Sequence, residues 1–147
     1  MKLQLDLDKQ SLENVKKFPE RFTKGLLSGF RKAMYMLEAE TKKGFGQSGN
    51  LKVRTGRLRN SIKTEIDVNN NGLEGIIGTN VIYAPVHEFG ARIRPVRASI
   101  LRFEERGIKF AKEVNIPSRP FLKPVIDANK SKIEGIIQKE IIKEVNK

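Results

Sequence analysis

The stretch Ile62-Lys63-Thr64-Glu65-Ile66-Asp67-Val68-Asn69-Asn70-Asn71-Gly72-Leu73-Glu74-Gly75-Ile76-Ile77-Gly78 decides the fold class. Ile62, Thr64, Ile66 and Val68 alternate with Lys63, Glu65 and Asp67, the period-two pattern of a strand with one buried face. Asn69 to Gly72 is a turn signal, because Asn and Gly tolerate positive φ. Leu73 to Ile77 returns as the second strand. Gly78-Thr79-Asn80 breaks the chain, and Val81-Ile82-Tyr83-Ala84 reads as a third short run. Pro85 opens a brief helical turn through Val86-His87-Glu88-Phe89, ended by Gly90. Upstream, Thr55-Gly56-Arg57-Leu58-Arg59-Asn60-Ser61-Ile62 reads as a single helical turn capped by Thr55, whose hydroxyl accepts an orphan backbone N–H.

Helical patterns flank this meander. From Pro19 to Lys43, Phe22, Leu26, Phe30, Met34 and Leu37 recur at spacings of three and four and form one apolar stripe. Gly25 and Gly29 weaken that helix locally, which close packing against a neighbour explains. At the other end, a helix starting near Phe121 or Pro124 carries Ile126, Ile133, Ile137 and Ile141 to about Val145, with Ile136 and Ile142 widening the stripe. Leu3, Leu5 and Leu7 share one face of a short strand over 3–8, and Ser11 and Pro19 bracket a short helical piece. The expected class is α+β, with long helices on one face of a small, mostly antiparallel sheet in a single domain over 1–147. Residues 44–54 read as a flexible loop. Residues 91–118 read as an extended basic arm or hairpin, with strands near Ser99–Phe103 and Ile108–Val114. Pro117, Pro120 and Pro124 stiffen the approach to the last helix.

The chain has 147 residues, with 29 Lys and Arg against 17 Asp and Glu, a formal charge of +12. The surplus is concentrated. Lys42, Lys43, Lys52, Arg54, Arg57, Arg59 and Lys63 fall between Thr41 and Thr64, where there is no acid. Residues 91–124 are similarly basic. Such segments attract polyanions or acidic protein surfaces; the alternative is a solvated face that serves solubility. Few aromatics are interleaved, which weakens a base-stacking, single-strand-binding role. No run approaches the length of a membrane-spanning helix, and the alternating N-terminus does not read as a signal peptide. The chain contains no cysteine and one histidine. Disulfides, thiol catalysis and Cys-based metal sites are therefore excluded, and no metal or cofactor is expected.

Other constellations carry little chemistry. Gly44-Phe45-Gly46-Gln47-Ser48-Gly49 matches a dinucleotide-binding spelling, but a helix precedes it where a strand is required. His87-Glu88 invites acid–base catalysis, yet neighbours on a helical turn point in different directions. A zinc protease would need a second histidine where Ala91 stands. Packing of His87 beside Tyr83 and Phe89 is the simpler expectation.

Three segments, Thr55–Ile62, Gly78–Gly90 and Ile116-Pro117-Ser118-Arg119-Pro120-Phe121-Leu122, resemble the tailed-bacteriophage virion-morphogenesis (tail-completion, head–tail joining) proteins in their order along the chain. Leu101-Arg102-Phe103 supplies the penultimate element. The resemblance spans roughly residues 20–145. It implies a non-enzymatic neck protein that assembles as a homo-oligomeric ring, a hexamer or dodecamer, between neighbouring head, neck and tail proteins. It further implies a place in the virion, reached from the host cytoplasm, with passing contact with DNA and none with membrane. The motif residues it marks for assembly or structure are Thr55, Gly56, Arg57, Leu58, Ser61, Tyr83, His87, Phe89, Gly90, Arg119, Pro120, Phe121 and Leu122. On this reading the arm over 91–118 reaches the next subunit, and Arg119 docks from a stiff backbone onto a carboxylate or carbonyls. Phe121 and Leu122 anchor the last helix, and Tyr83, His87 and Phe89 form an aromatic corner beneath Gly90. Packing within one subunit is the alternative for each. The basic faces favour acidic protein partners, since strong phosphate contacts would retard DNA in transit. A small sequence-independent nucleic-acid-binding module and a small basic hydrolase working through His87 are the competing functions.

Overall fold

The apolar stripe of residues 20–44 folds as a continuous helix, α1 (Glu20–Gly44), in the computed structural model, which describes residues 1–6, 19–47, 51–69, 72–104 and 107–147. Leu26, Phe30, Ala33, Met34 and Leu37 on that stripe are buried. Residues Leu7 and Asp8 of the expected first strand, and the helical piece between Ser11 and Pro19, lie outside the described residues.

The second long helix, α4 (Lys123–Val145), lies antiparallel against α1. A β-carbon on Gly25 would sit 2.7 Å from the Ile141 Cα, and one on Gly29 would sit 2.7 Å from the Ile137 Cα. The two glycines are therefore notches that let the helix backbones approach to contact. Ser28 donates to Glu140 Oε2 at 3.2 Å, and Lys32 pairs with the same oxygen at 2.7 Å, which fixes the register. Ile133 is buried, whereas Ile142 is 60% exposed. The stripe on α4 is thus narrower than its sequence implies: α1 meets the Ile137/Ile141 line, and Ile142 lies about 100° further round.

Beneath α1 lies an antiparallel sheet of β1 (Lys2–Asp6), β2 (Lys63–Asn69) and β3 (Gly72–Gly78), in the order β1-β3-β2. Ile66 pairs with Gly75 and Thr64 with Ile77. This places Thr64, Ile66, Leu73, Gly75 and Ile77 on the face towards α1. A β-carbon at Gly75 would lie 2.7 Å from the Met34 sulfur and 2.8 Å from Phe30 Cζ, so the missing side chain admits the helix.

Two short helices follow from local chemistry. In α2 (Arg57–Ser61) the residue before the helix is Gly56, at φ +75°, one place later than the cap expected at Thr55. Thr55 Oγ1 still accepts the Arg57 N–H at 3.3 Å. Val81 to Ala84 is not a strand. Thr79 Oγ1 takes the Val81 N–H at 3.1 Å, the Ala84 N–H turns back to the Val81 carbonyl at 3.0 Å, and α3 (Ala84–Phe89) begins there. The proline ring at position 85 favours a first helical turn, and this overrides the β-branched run. Ile82 consequently stands 93% exposed.

The basic arm is a ribbon in two stages. β4 (Ala91–Ile93) pairs with β7 (Val114–Ile116), and further out β5 (Leu101–Glu104) pairs with β6 (Ile108–Ala111). Glu113 ties the inner stage. It bonds Arg92, and its other oxygen lies 2.7 Å from Arg94 Nε. Hydrogen bonds from Arg92 and then Arg94 hold the Glu113 carboxyl below the ordinary glutamate range.

Candidate functional site: a basic cleft and the clasp behind it

The end of α3 and the start of α4 are joined by one buried carboxylate. Glu88 Oε2 accepts the Phe121 N–H at 2.7 Å and the Leu122 N–H at 3.1 Å, and Oε1 accepts the Lys123 N–H at 3.0 Å. These donors open the first turn of α4, where backbone N–H groups lack intrahelical partners and the helix dipole favours negative charge. Glu88 is 4% exposed, so a charge from a sequence-distant turn supplies the cap that α4 lacks locally. One residue earlier, the His87 carbonyl accepts the Arg119 N–H at 2.6 Å. Gly90 completes the clasp. Its φ is +77°, and a β-carbon there would lie 2.9 Å from the Ile116 carbonyl oxygen and 3.0 Å from the Ser118 nitrogen.

In front of the clasp lies a cavity of about 570 Å³, open to solvent. One wall is Leu51 to Arg59, running through the Thr55-Gly56 turn into α2. Tyr83, His87, Arg119 and Phe45 complete the lining. Tyr83 and His87 meet edge to face, with ring centroids 5.8 Å apart. Phe45 packs in turn on Phe121 at 5.2 Å. The Gly46 N–H bonds the Leu51 carbonyl at 2.9 Å, which closes the base of the loop between them. Lys52, Arg54, Arg57, Arg59 and Arg119 all line the cavity, and no acid does.

The motif residues divide between cleft and frame. Thr55, Gly56, Arg57, Leu58, Tyr83, His87 and Arg119 line the cleft. Ser61 lies behind it, its hydroxyl 2.6 Å from the Thr79 hydroxyl and donating to the Leu58 carbonyl at 2.7 Å. Phe121 and Leu122 are buried in the core, Gly90 is part of the clasp, and Pro120 is exposed beside it. Phe89 departs from the expected aromatic corner. It is 69% exposed, because on this short helix Ala84 and Glu88, four residues apart, take the buried face, while Tyr83 and His87 pair along the cleft. Sequence reasoning missed Glu88 as the cap and Phe45, Leu51, Lys52, Arg54 and Arg59 as walls. The absence of a local capping side chain on α4 was the available signal for the first.

The arrangement does not suit acid–base catalysis by His87 and Glu88. The imidazole faces Tyr83 and the cleft, whereas the carboxylate is turned inward onto three backbone donors. Among the described residues, no group of His, Asp and Glu gathers as a metal site, and no helix is long and apolar enough to cross a membrane.

A profile of the phage virion morphogenesis family matches residues 32–141. An uncharacterized protein of Methanocaldococcus jannaschii is 27% identical over 86 residues, which cover 58% of this chain and 49% of that protein. The match therefore spans about half the length of that relative. No solved structure matches the chain at comparable significance. The matched region takes in the second half of α1, the cleft, the clasp, the arm and most of α4.

Proposed function

Because this chain belongs to the phage virion morphogenesis family, we propose that it is a structural subunit of the virion neck, completing the tail and joining it to the head as a homo-oligomeric ring. In this role it makes and breaks no covalent bond. The observation that carries the reading is the arm. Its outer stage is a two-stranded ribbon, a form with marginal stability alone in water. Ile100, Ile108 and Phe110 on it are each exposed by 45% or more. Apolar side chains gathered on a projecting element mark a contact surface. A head-to-tail contact of this kind closes into a ring when its rotation divides the circle. Hexamers and dodecamers satisfy that condition.

Sedimentation and negative-stain electron microscopy of the purified chain test this, beside the double variant Ile108→Asp/Phe110→Asp. Rings are expected for the parent, and monomers with an unchanged circular-dichroism spectrum for the variant. A parent that stays monomeric at high concentration, together with normally joined particles from a strain lacking the gene, would refute the reading.

A further inference from the structure

We propose that the cleft between the Thr55–Arg59 turn and Arg119 is a receptor for an extended acidic peptide segment, with interspersed apolar side chains, supplied by a different virion protein. The inference rests on the structural role above and adds the chemistry of a partner.

The first support is charge. Lys52, Arg54, Arg57, Arg59 and Arg119 converge on one cavity from separate parts of the chain. On other faces several cations have a partner: Lys32, Lys42, Arg92, Arg94 and Lys130 each pair with a carboxylate. No described carboxylate pairs with the five in the cleft. Like charges concentrated without counter-charge repel, and an anionic occupant relieves that repulsion. Four of the five are arginines, whose planar forks suit bidentate recognition of carboxylates.

The second support is preorganisation. Arg119 follows Pro117-Ser118 and precedes Pro120, and its backbone is fixed by the bond to His87. Arg57 and Arg59 sit on a helical turn held by the Ser61–Thr79 contact. The backbone that carries these side chains is therefore ordered before a ligand docks, which lowers the entropy lost on binding.

The third support is shape. Part of the lining is apolar and aromatic: Phe45, Leu51, Leu58 and Tyr83. The volume lies within the range of about 300–1,000 Å³ typical of ligand pockets. A duplex offers phosphates to the cations but nothing to the apolar part of the lining. A strand of alternating carboxylates and apolar side chains satisfies both. The chain's own arm is a poor occupant, because Arg102, Arg106, Lys109 and Lys112 outnumber Glu104 and Glu105 along it.

The test is fluorescence anisotropy on the full chain at 150 mM salt. The probes are a labelled octapeptide alternating Glu and Leu, its Lys–Leu counterpart, and a labelled 16-base-pair duplex. The Glu–Leu peptide is expected to bind at least tenfold more tightly than either other probe. Arg57→Ala/Arg119→Ala is expected to weaken it at least tenfold, while Lys130→Ala/Lys147→Ala, neither of which lines the cavity, leaves it unchanged. Circular dichroism confirms that each variant is folded. No peptide binding would overturn the proposal, as would equal loss in both double variants. Duplex binding as tight as peptide binding, with the same arginine dependence, would overturn it in favour of a nucleic-acid site. Ring formation does not enter this assay, so its failure leaves the neck role standing, and absence of rings leaves the peptide site standing.

Discussion

Replacing Glu88 tests the clasp most directly. In Glu88→Ala three charge-assisted hydrogen bonds are lost, and the buried Phe121 and Leu122 N–H groups lose their acceptor. An orphaned buried donor costs about 1–3 kcal/mol, and loss of a helix cap alone costs about 0.5–2 kcal/mol. Because the terms overlap at one helix end, the expected destabilisation is about 3–5 kcal/mol rather than their sum. Glu88→Gln keeps one acceptor oxygen but sets an amide nitrogen against a backbone donor and removes the charge, for about 2 kcal/mol. At this chain length each kcal/mol lowers Tm by roughly 3 °C. The Ala variant should therefore melt about 10–15 °C below the parent, and Gln about midway. Urea unfolding gives the same quantity from the midpoint, provided the slope is unchanged. Hydrogen exchange at Phe121 and Leu122 should accelerate in both variants. An Ala variant within about 0.5 kcal/mol of the parent, with those amides still protected, would show that the carboxylate does not hold the helix.

The helix seam makes paired predictions. Gly25→Ala and Gly29→Ala should each destabilise by about 1–3 kcal/mol, because the new methyl meets backbone across the seam and this overrides the gain in helix propensity. Gly135→Ala, which has open space around it, should stabilise by about 0.5–1 kcal/mol in the same melts. Gly90→Ala should destabilise by more than about 1 kcal/mol, since the positive φ and the Ile116 carbonyl both oppose a side chain. Glu113 offers a pH test. Its folded pKa is depressed, so its contribution is present above the ordinary glutamate value and is lost as pH falls through the folded value. Amide exchange in β4 and β7 should therefore rise only in that acid window, and Arg92→Ala should move the Glu113 titration, read by NMR, back towards neutral pH.

Local periodicity made the helices and the central hairpin legible. The residues that pack α1 recur every three to four positions, and those of β2 every second, so each element announces its buried face. Gly25 and Gly29 were legible as notches because nothing else justifies two glycines inside a helix. The exceptions have physical reasons. Val81-Ile82-Tyr83-Ala84 has strand composition, but a proline and a threonine hydroxyl decide its conformation. Thr55 and Gly56 both suit a helix start, and only the backbone shows which one turns. Glu88 could not be read at all, because its partners lie more than thirty positions later and no pattern of spacing encodes them. The cleft was hidden for the same reason: its cations looked like two separate basic runs until the fold brought Arg119 to the same cavity as Arg57.

The route by which the chain leaves the arm has a mechanical meaning. β7 passes into Pro117–Pro120, which is fastened at Arg119 and again at Phe121 to Lys123, and then directly into α4. A tug on the ribbon is thus delivered to rivets at the head of a long rod seated in the notches of another. Strain arriving at the periphery is thereby passed to the interior, the property the proposed neck role would call for.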